Sequence, residues 1–306
     1  MFVIHLVINL PFGIDIKNLI DDLRNFSWEA SETLLYYAQK LKDSNFKINI
    51  LQNDSYEDPV TLADLKVNEL IIKKINENYK GMSWEILSEE NVKSDTKEVD
   101  PNAEWMWVLD PLDGTKDFIQ GTGNYAMHLA LKYKQNPYIG IVLVPEKEEL
   151  WIACGEKVWC EKRDGTKIKP NLSQNKSLRE MILVTSKNHR NETLKKLIEK
   201  IHFNDLKIMG SVGCKITSLV KGESDIYISL SLPGKSSPKD WDFAAPASIL
   251  KSAGGAITNL DNKDLCYGKS NYEQGGIIVA TNNNLTHEKI CLQIKQIIKK
   301  NKLYPL

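Results

Sequence analysis

The chain has 306 residues, with 40 Lys and Arg balanced by 40 Asp and Glu. That length allows two domains and a sizeable core, which excludes a small stapled scaffold. Zero net charge disfavours a general nucleic-acid or membrane-surface binder, whose footprint is a basic excess. The five cysteines, Cys154, Cys160, Cys214, Cys266 and Cys291, are odd in number and contain no CxxC pair. They read as reduced, mostly buried thiols of a cytoplasmic protein.

The opening MFVIHLVINLPFG lacks a basic flank, and His5 and Asn9 interrupt an apolar run too short to span a bilayer. It reads as a short strand or packed arm, and no later segment has the length of a membrane span. Leu19, Leu23, Leu34 and Leu41 recur at helical spacing and predict one or two helices over 18–42. Leu62, Leu65, Leu70, Ile71 and Ile75 predict another over 61–78. Apolar runs at 84–87 and 105–109 predict strands that deliver Glu89, Glu90 and Asp110 at their C-terminal ends. Segments 125–133, 138–144 and 149–159 then read as an antiparallel meander. The polar KIKPNLSQNK at 167–176 marks a boundary between an α+β domain, 1–170, and an α/β domain, 171–306. In the second, strands near 182–186, 207–209, 225–230 and 276–280 alternate with helices at 191–201, 214–221 and 243–253, as in helices packed on a sheet.

The run WVLDPLDGTKDF at 107–118 concentrates the chemistry. A strand ends at Asp110, Pro111 fixes φ, and Asp113-Gly114 supplies turn chemistry, so the chain is expected to reverse within four residues. Both carboxylates then aim at one point, with the Leu112 carbonyl between them. Like charges so close need a proton or a cation. Oxygen donors of this kind suit a hard cation such as Mg²⁺, whereas zinc would call for His or Cys, absent from the run. Further acids stand at Asp64, in an early turn of the second helix, at Glu89 and Glu90, and at Asp242. The helix after Asp242 closes at Ala253-Gly254-Gly255.

Taken in order, PVTLAD, SEE, WVLDPLDGTKDF and WDFAAPASILKSAGG resemble the Mg²⁺-dependent, lithium-sensitive phosphatases typified by inositol monophosphatase and the 3′(2′),5′-bisphosphate nucleotidases. The resemblance runs from about residue 58 to about residue 280. Lys116 in DGTK, VTSKNH at 184–189 and GSVGCK at 210–215 resemble the nucleotidase branch. It implies a layered αβαβα sandwich and a fold between α+β and α/β. It implies two or three Mg²⁺, one held by Glu89, Asp110 and the Leu112 carbonyl, one by Asp110, Asp113 and Asp242, and a weaker one sharing Glu89. Asp64 and Thr115 would hold and deprotonate a water. Gly114, Lys116, Thr185, Ser186, His189, Gly210, Ser211 and Lys215 would surround the substrate.

The implied substrate is adenosine 3′,5′-bisphosphate, cleaved to AMP, together with 3′-phosphoadenylyl sulfate; inositol phosphates are the rival. A polymeric nucleic acid or a membrane is not an expected partner, and monomer or homodimer are both open. Two positions depart from the pattern: no lysine precedes the PVT block, and Ser229 stands where many nucleotidases have arginine. His128, in YAMHLALKY, reads as structural.

Overall fold

The computed structural model describes residues 10–11, 13–42, 61–94, 99–101, 103–172, 175–186, 190–269 and 271–305. The reading of the opening segment as a strand or arm falls largely outside these residues. A first sheet of seven strands runs in chain order: β1 (Glu85–Ser88), β2 (Trp105–Asp113), β3 (Ala126–Tyr133), β4 (Asn136–Val144), β5 (Glu149–Cys154), β6 (Lys157–Lys162) and β7 (Lys167–Ile168). Only β1 with β2 is parallel within it. The segment 149–159, expected as one strand, is a hairpin instead. Gly155, at φ 57°, turns the chain between β5 and β6, because a left-handed residue suits a tight reversal.

Strands β2 to β4 are buried on both faces, which explains why their apolar runs do not alternate cleanly with polar residues. Trp105, Trp107 and Leu109 turn to one side and pack in a cluster with Leu19, Leu23, Ala63 and Ile71. Those partners belong to α1 (Ile16–Lys40), a single helix, and α2 (Leu62–Asn78). Met106 and Val108 turn the other way, toward Cys214, Ile216, Phe243 and Ala244. These lie on α6 (Val212–Val220) and α7 (Asp240–Ser252).

The same two helices cover a second sheet of five strands, ordered β11-β12-β10-β8-β9. Its members are β8 (Ile182–Thr185), β9 (Asp205–Ile208), β10 (Ile226–Leu230), β11 (Ala256–Asn259) and β12 (Ile277–Thr281). Val184, Tyr227, Ile278 and Ala280 join the α6–α7 cluster. Leu183, Ile226, Ile228 and Val279 pack on the far side with α5 (Glu192–Ile201) and α8 (Asn284–Asn301). The layers are therefore α1–α2, sheet, α6–α7, sheet, α5–α8, an αβαβα sandwich. Strand β11 and helix α8 add to the sequence reading, and α7 begins three residues earlier than expected. Helix α8 carries its own helical pattern in Ile290, Ile294 and Ile298, all buried.

Backbone contact between α7 and the first sheet is close at Gly140 on β4. A Cβ there would lie 2.6 Å from Ser248 Cβ and 2.8 Å from the Ala245 carbonyl oxygen. Gly140→Ala is expected to overpack this seam and lower stability by about 1–3 kcal/mol, read as an earlier urea midpoint at unchanged m-value. An unshifted midpoint would show that α7 can retreat freely.

Candidate active site

Five segments converge beside the C-terminal end of β2. The strand does not stop at Asp110: Asp110 pairs with His128 on β3, and Asp113 with Ala126, with a register shift between them. Pro111 and Leu112 on β2 oppose the single residue Met127 on β3, which is a bulge rather than the reversal expected from Asp-Pro-Leu-Asp. Pro111 suits it, having no N–H to give the ladder. The extra residue has a chemical result. Side chains three apart on a regular strand face opposite sides, yet ligating atoms of Asp110 and Asp113 lie within 4.8 Å of each other.

Gly114 follows at φ 88° and starts the short helix α4 (Thr115–Gln120). A Cβ on it would meet the Asn124 carbonyl oxygen at 3.0 Å and Ser211 N at 3.1 Å, so both conformation and space require glycine.

Each aspartate is anchored by backbone amides. Asp64 sits in the first turn of α2, and its Oδ2 accepts Thr61 N at 2.8 Å and Thr61 Oγ1 at 2.6 Å, a helix-capping pair. Its Oδ1 faces Thr115 Oγ1 at 3.4 Å, and that hydroxyl is 3.1 Å from the Leu112 carbonyl oxygen. Asp110 Oδ1 accepts Leu112 N at 3.1 Å. Asp113 Oδ2 accepts Ser211 Oγ at 2.7 Å and the amides of Val212 and Gly213, the positive end of α6. Asp242, in the first turn of α7, accepts Lys239 N at 2.6 Å through Oδ2. Glu89 opens the short helix α3 (Glu89–Lys93), pairs with Lys93 at 2.9 Å, and hydrogen-bonds to Asp110.

Burial of these acids is costly. Asp64 is 2% exposed, and burial pushes its pKa up to about 8, with Thr61 opposing and Glu90 and Glu89 adding. Asp110, 1% exposed, is raised well above its ordinary value by burial first, then by Glu89, Asp113 and Asp242. Asp242 is raised likewise, by burial, Asp113 and Glu89. Carboxyls that resist ionisation together fit a site built for a cation, and the oxygen-rich donor set suits a hard one.

His128 was read from the sequence as structural and outside the acidic run. The structure places it at the run's edge: its Nε2 is 3.3 Å from Asp113 Oδ2, and Asp110, Asp113 and His128 can surround one point. Burial lowers its pKa, with Asp113 opposing. A histidine within the apolar stretch AMHLAL of β3 was the available signal; its place across from Asp110 is set by the sheet.

The expected substrate residues divide into two groups. Thr185 and Ser186 end β8, both buried, and Thr185 Oγ1 has no hydrogen-bond partner among the described residues. Lys116 is half-buried on α4, and His189 lies outside the described residues. Ser211 and Lys215 turn inward. Ser211 caps α6 and donates to Asp113, while Lys215, 3% exposed, donates to the Gly210 carbonyl and lies 5.3 Å over the Tyr227 ring. Burial lowers the Lys215 pKa, with Asp113 opposing. Gly210 lets Asp117 approach: a Cβ there would lie 2.4 Å from Asp117 Cγ. Ser229 hydrogen-bonds to Tyr227, and the segment 43–60, which precedes the PVT block and includes its first residues, lies outside the described residues.

A layered sandwich with buried acids from separate elements gathered at the end of β2 is the frame on which the comparisons bear. The model of the inositol monophosphatase family matches residues 19–299, and the chain belongs to that family. It is a phosphatase. It is 31% identical over 256 residues to the 3′(2′),5′-bisphosphate nucleotidase CysQ of Buchnera aphidicola, covering 83% of this chain and 89% of that one. To the chloroplastic bifunctional phosphatase IMPL2 of Arabidopsis thaliana it is 30% identical, over 78% of this chain and 64% of the relative. The IMPase of Thermotoga maritima shares the fold at TM-score 0.70 and 20% identity, covering 92% of this chain and 99% of that one. Among the described residues, no helix is long and apolar enough to cross a membrane.

The Asp64 pKa of about 8 lies above the roughly 3.9 of an unfolded chain, so between these values the folded protein holds an extra proton. Its contribution is full below pH ~4 and is lost as pH rises through 8. In chelator, the unfolding temperature is expected to fall between pH 5 and 8, and Asp64→Asn to make that fall shallower by calorimetry. An equal slope in the variant would contradict the assignment.

Proposed function

We propose that this phosphatase removes the 3′-phosphate of adenosine 3′,5′-bisphosphate to give AMP, and that of 3′-phosphoadenylyl sulfate, with two or three Mg²⁺. One observation carries the reading: Asp110 and Asp242 have their proton affinity raised by burial and then by the acids gathered beside them, Glu89 and Asp113 acting on both. A phosphate ester would be repelled by such a cluster unless cations reversed its sign. The kinship with CysQ over most of both chains favours a bisphosphate nucleotide as the substrate.

Glu89, Asp110, the Leu112 carbonyl, Asp113 and Asp242 would hold the ions, which supply Lewis acidity and a lowered water pKa when bound. Thr115 and Asp64 then manage the attacking water: the hydroxyl, 3.4 Å from Asp64 Oδ1, orients it, and Asp64, ionised once bound cations offset its raised proton affinity, would take its proton. Phosphate oxygens meet the positive N-terminal end of α7 and the Lys116 ammonium. Gly114 lets the chain pass close behind them. Thr185, Ser186 and His189 contact the nucleotide, and Gly210, Ser211 and Lys215 form the wall behind it. Residues 1–170 supply most of the acids and residues 171–306 supply Asp242 and the nucleotide side. The absence of an arginine at Ser229 would leave the phosphate not being cleaved less tightly held.

Phosphate release is the decisive measurement, with adenosine 3′,5′-bisphosphate, 3′-phosphoadenylyl sulfate, inositol 1-phosphate and inositol 1,4-bisphosphate, each with Mg²⁺ and again with added Li⁺. The nucleotides are expected to be turned over fastest and Li⁺ to inhibit. Faster hydrolysis of an inositol phosphate would replace this substrate by its rival. Asp113→Asn is expected to cut turnover by more than about a hundredfold, since losing even an outer partner of a metal ligand costs 10–100-fold, while the circular dichroism spectrum stays unchanged. Near-normal Mg²⁺-dependent turnover in that variant would remove Asp113 from the site.

A further inference from the structure

His128 is fully buried and touches every element that brings a candidate metal ligand from β2 or α7. Its backbone pairs with Asp110 across the sheet. Its Nε2 lies 3.3 Å from Asp113 Oδ2 and 3.5 Å from Ser211 Oγ, the cap of α6. Its Nδ1 lies 3.3 Å from the carbonyl oxygen of Trp241, the residue immediately before Asp242. No slack surrounds the ring on the α6 side: a Cβ on Gly213 would fall 2.3 Å from Nε2.

A neutral imidazole has one N–H and one lone pair. An acceptor stands 3.3 Å from each nitrogen, a carboxylate on one side and a carbonyl on the other. One contact attracts, and the other holds its partner off. The ring therefore helps set the distance between Asp113 and the first turn of α7, and a purely apolar side chain would remove that one link between them while their other anchors remain.

We propose that His128 is a positioning residue that fixes the spacing of Asp113 and Asp242, and with it the affinity of the divalent ion these two share. The inference rests on the metal-dependent reading above. Histidine would act without touching substrate, through the carboxylate it holds, as groups behind metal ligands do elsewhere. An ion held by Glu89 and Asp110 alone would be less affected, because the ring's nitrogens face neither acid's anchor.

Calorimetric titration of Mg²⁺ into the chelator-stripped full chain tests this, with wild type, His128→Asn and His128→Leu side by side. In both variants one binding step is expected to weaken about tenfold or more, with the remaining step unchanged. The Mg²⁺ concentration for half-maximal phosphate release should rise in parallel, while KM for the nucleotide at saturating Mg²⁺ stays put. His128→Asn, which keeps one polar group in the slot, is expected to lose less than His128→Leu. A merely structural histidine would instead lower the unfolding temperature of the metal-free protein and leave the isotherm intact. Folded variants with wild-type isotherms would overturn the role of His128 alone. Wild-type protein that bound no Mg²⁺ would overturn the metal-dependent reading beneath it. Should the leucine variant fail to fold, the asparagine variant decides.

Discussion

Carboxylates crowded out of water repel one another, and most of this structure can be understood as the means of holding them there. Asp110 and Asp242 are raised in proton affinity by burial and by their neighbours, so the cluster is poor in stability without positive charge. Amide donors offset part of that cost. Each of the four aspartates has an oxygen bonded to a backbone N–H, which keeps the side chains aimed while leaving their charge largely uncompensated. Such a site is pre-strained toward a cation, and a cation is what turns a repulsive pocket into one that accepts phosphate.

The central helix layer is the reason the anchors stay in place. Helices α6 and α7 are covered by a sheet on each side, so their N-terminal turns are fixed from two directions. The first turn of α6 binds Asp113, and that of α7 carries Asp242. Close approach at Gly140 and Gly213 leaves these helices little room to slide. Lys215 is buried near Asp113 and Asp242 and tied to the Gly210 carbonyl, and in its charged form it opposes the rise in the Asp242 pKa. A flexible surface lysine could not do so at the same place, because solvent would screen it.

Under the proposed function, substrate discrimination falls to the other edge of the same layer. Thr185 and Ser186 end β8, whose neighbours β9 and β10 run parallel to it, and ligands commonly sit beyond the carboxyl ends of such strands. The Thr185 hydroxyl is buried with no partner among the described residues, which is the state of a group awaiting a ligand atom.

The sequence by itself determined the acids and the helices that carry them. Thr61 as the start of α2, the strand leading to Asp110, and the helix holding Asp242 could all be read from periodicity, caps and glycine stops, because these are local preferences of the chain. The αβαβα layering was legible only through the family resemblance that the motif order carries; the alternation of strands and helices by itself gave helices packed on a sheet. Local signals did not reveal the bulge after Asp110, where turn residues suggested a reversal. The bulge is decided by Ala126 on β3 taking up pairing again. They did not place His128, since its neighbours, Ser211 and Trp241, are 83 and 113 residues away. They also left open whether Ser211 and Lys215 face a ligand or the interior. Those choices belong to tertiary structure, because proton affinity and side-chain direction depend on which distant groups packing brings within a few ångströms.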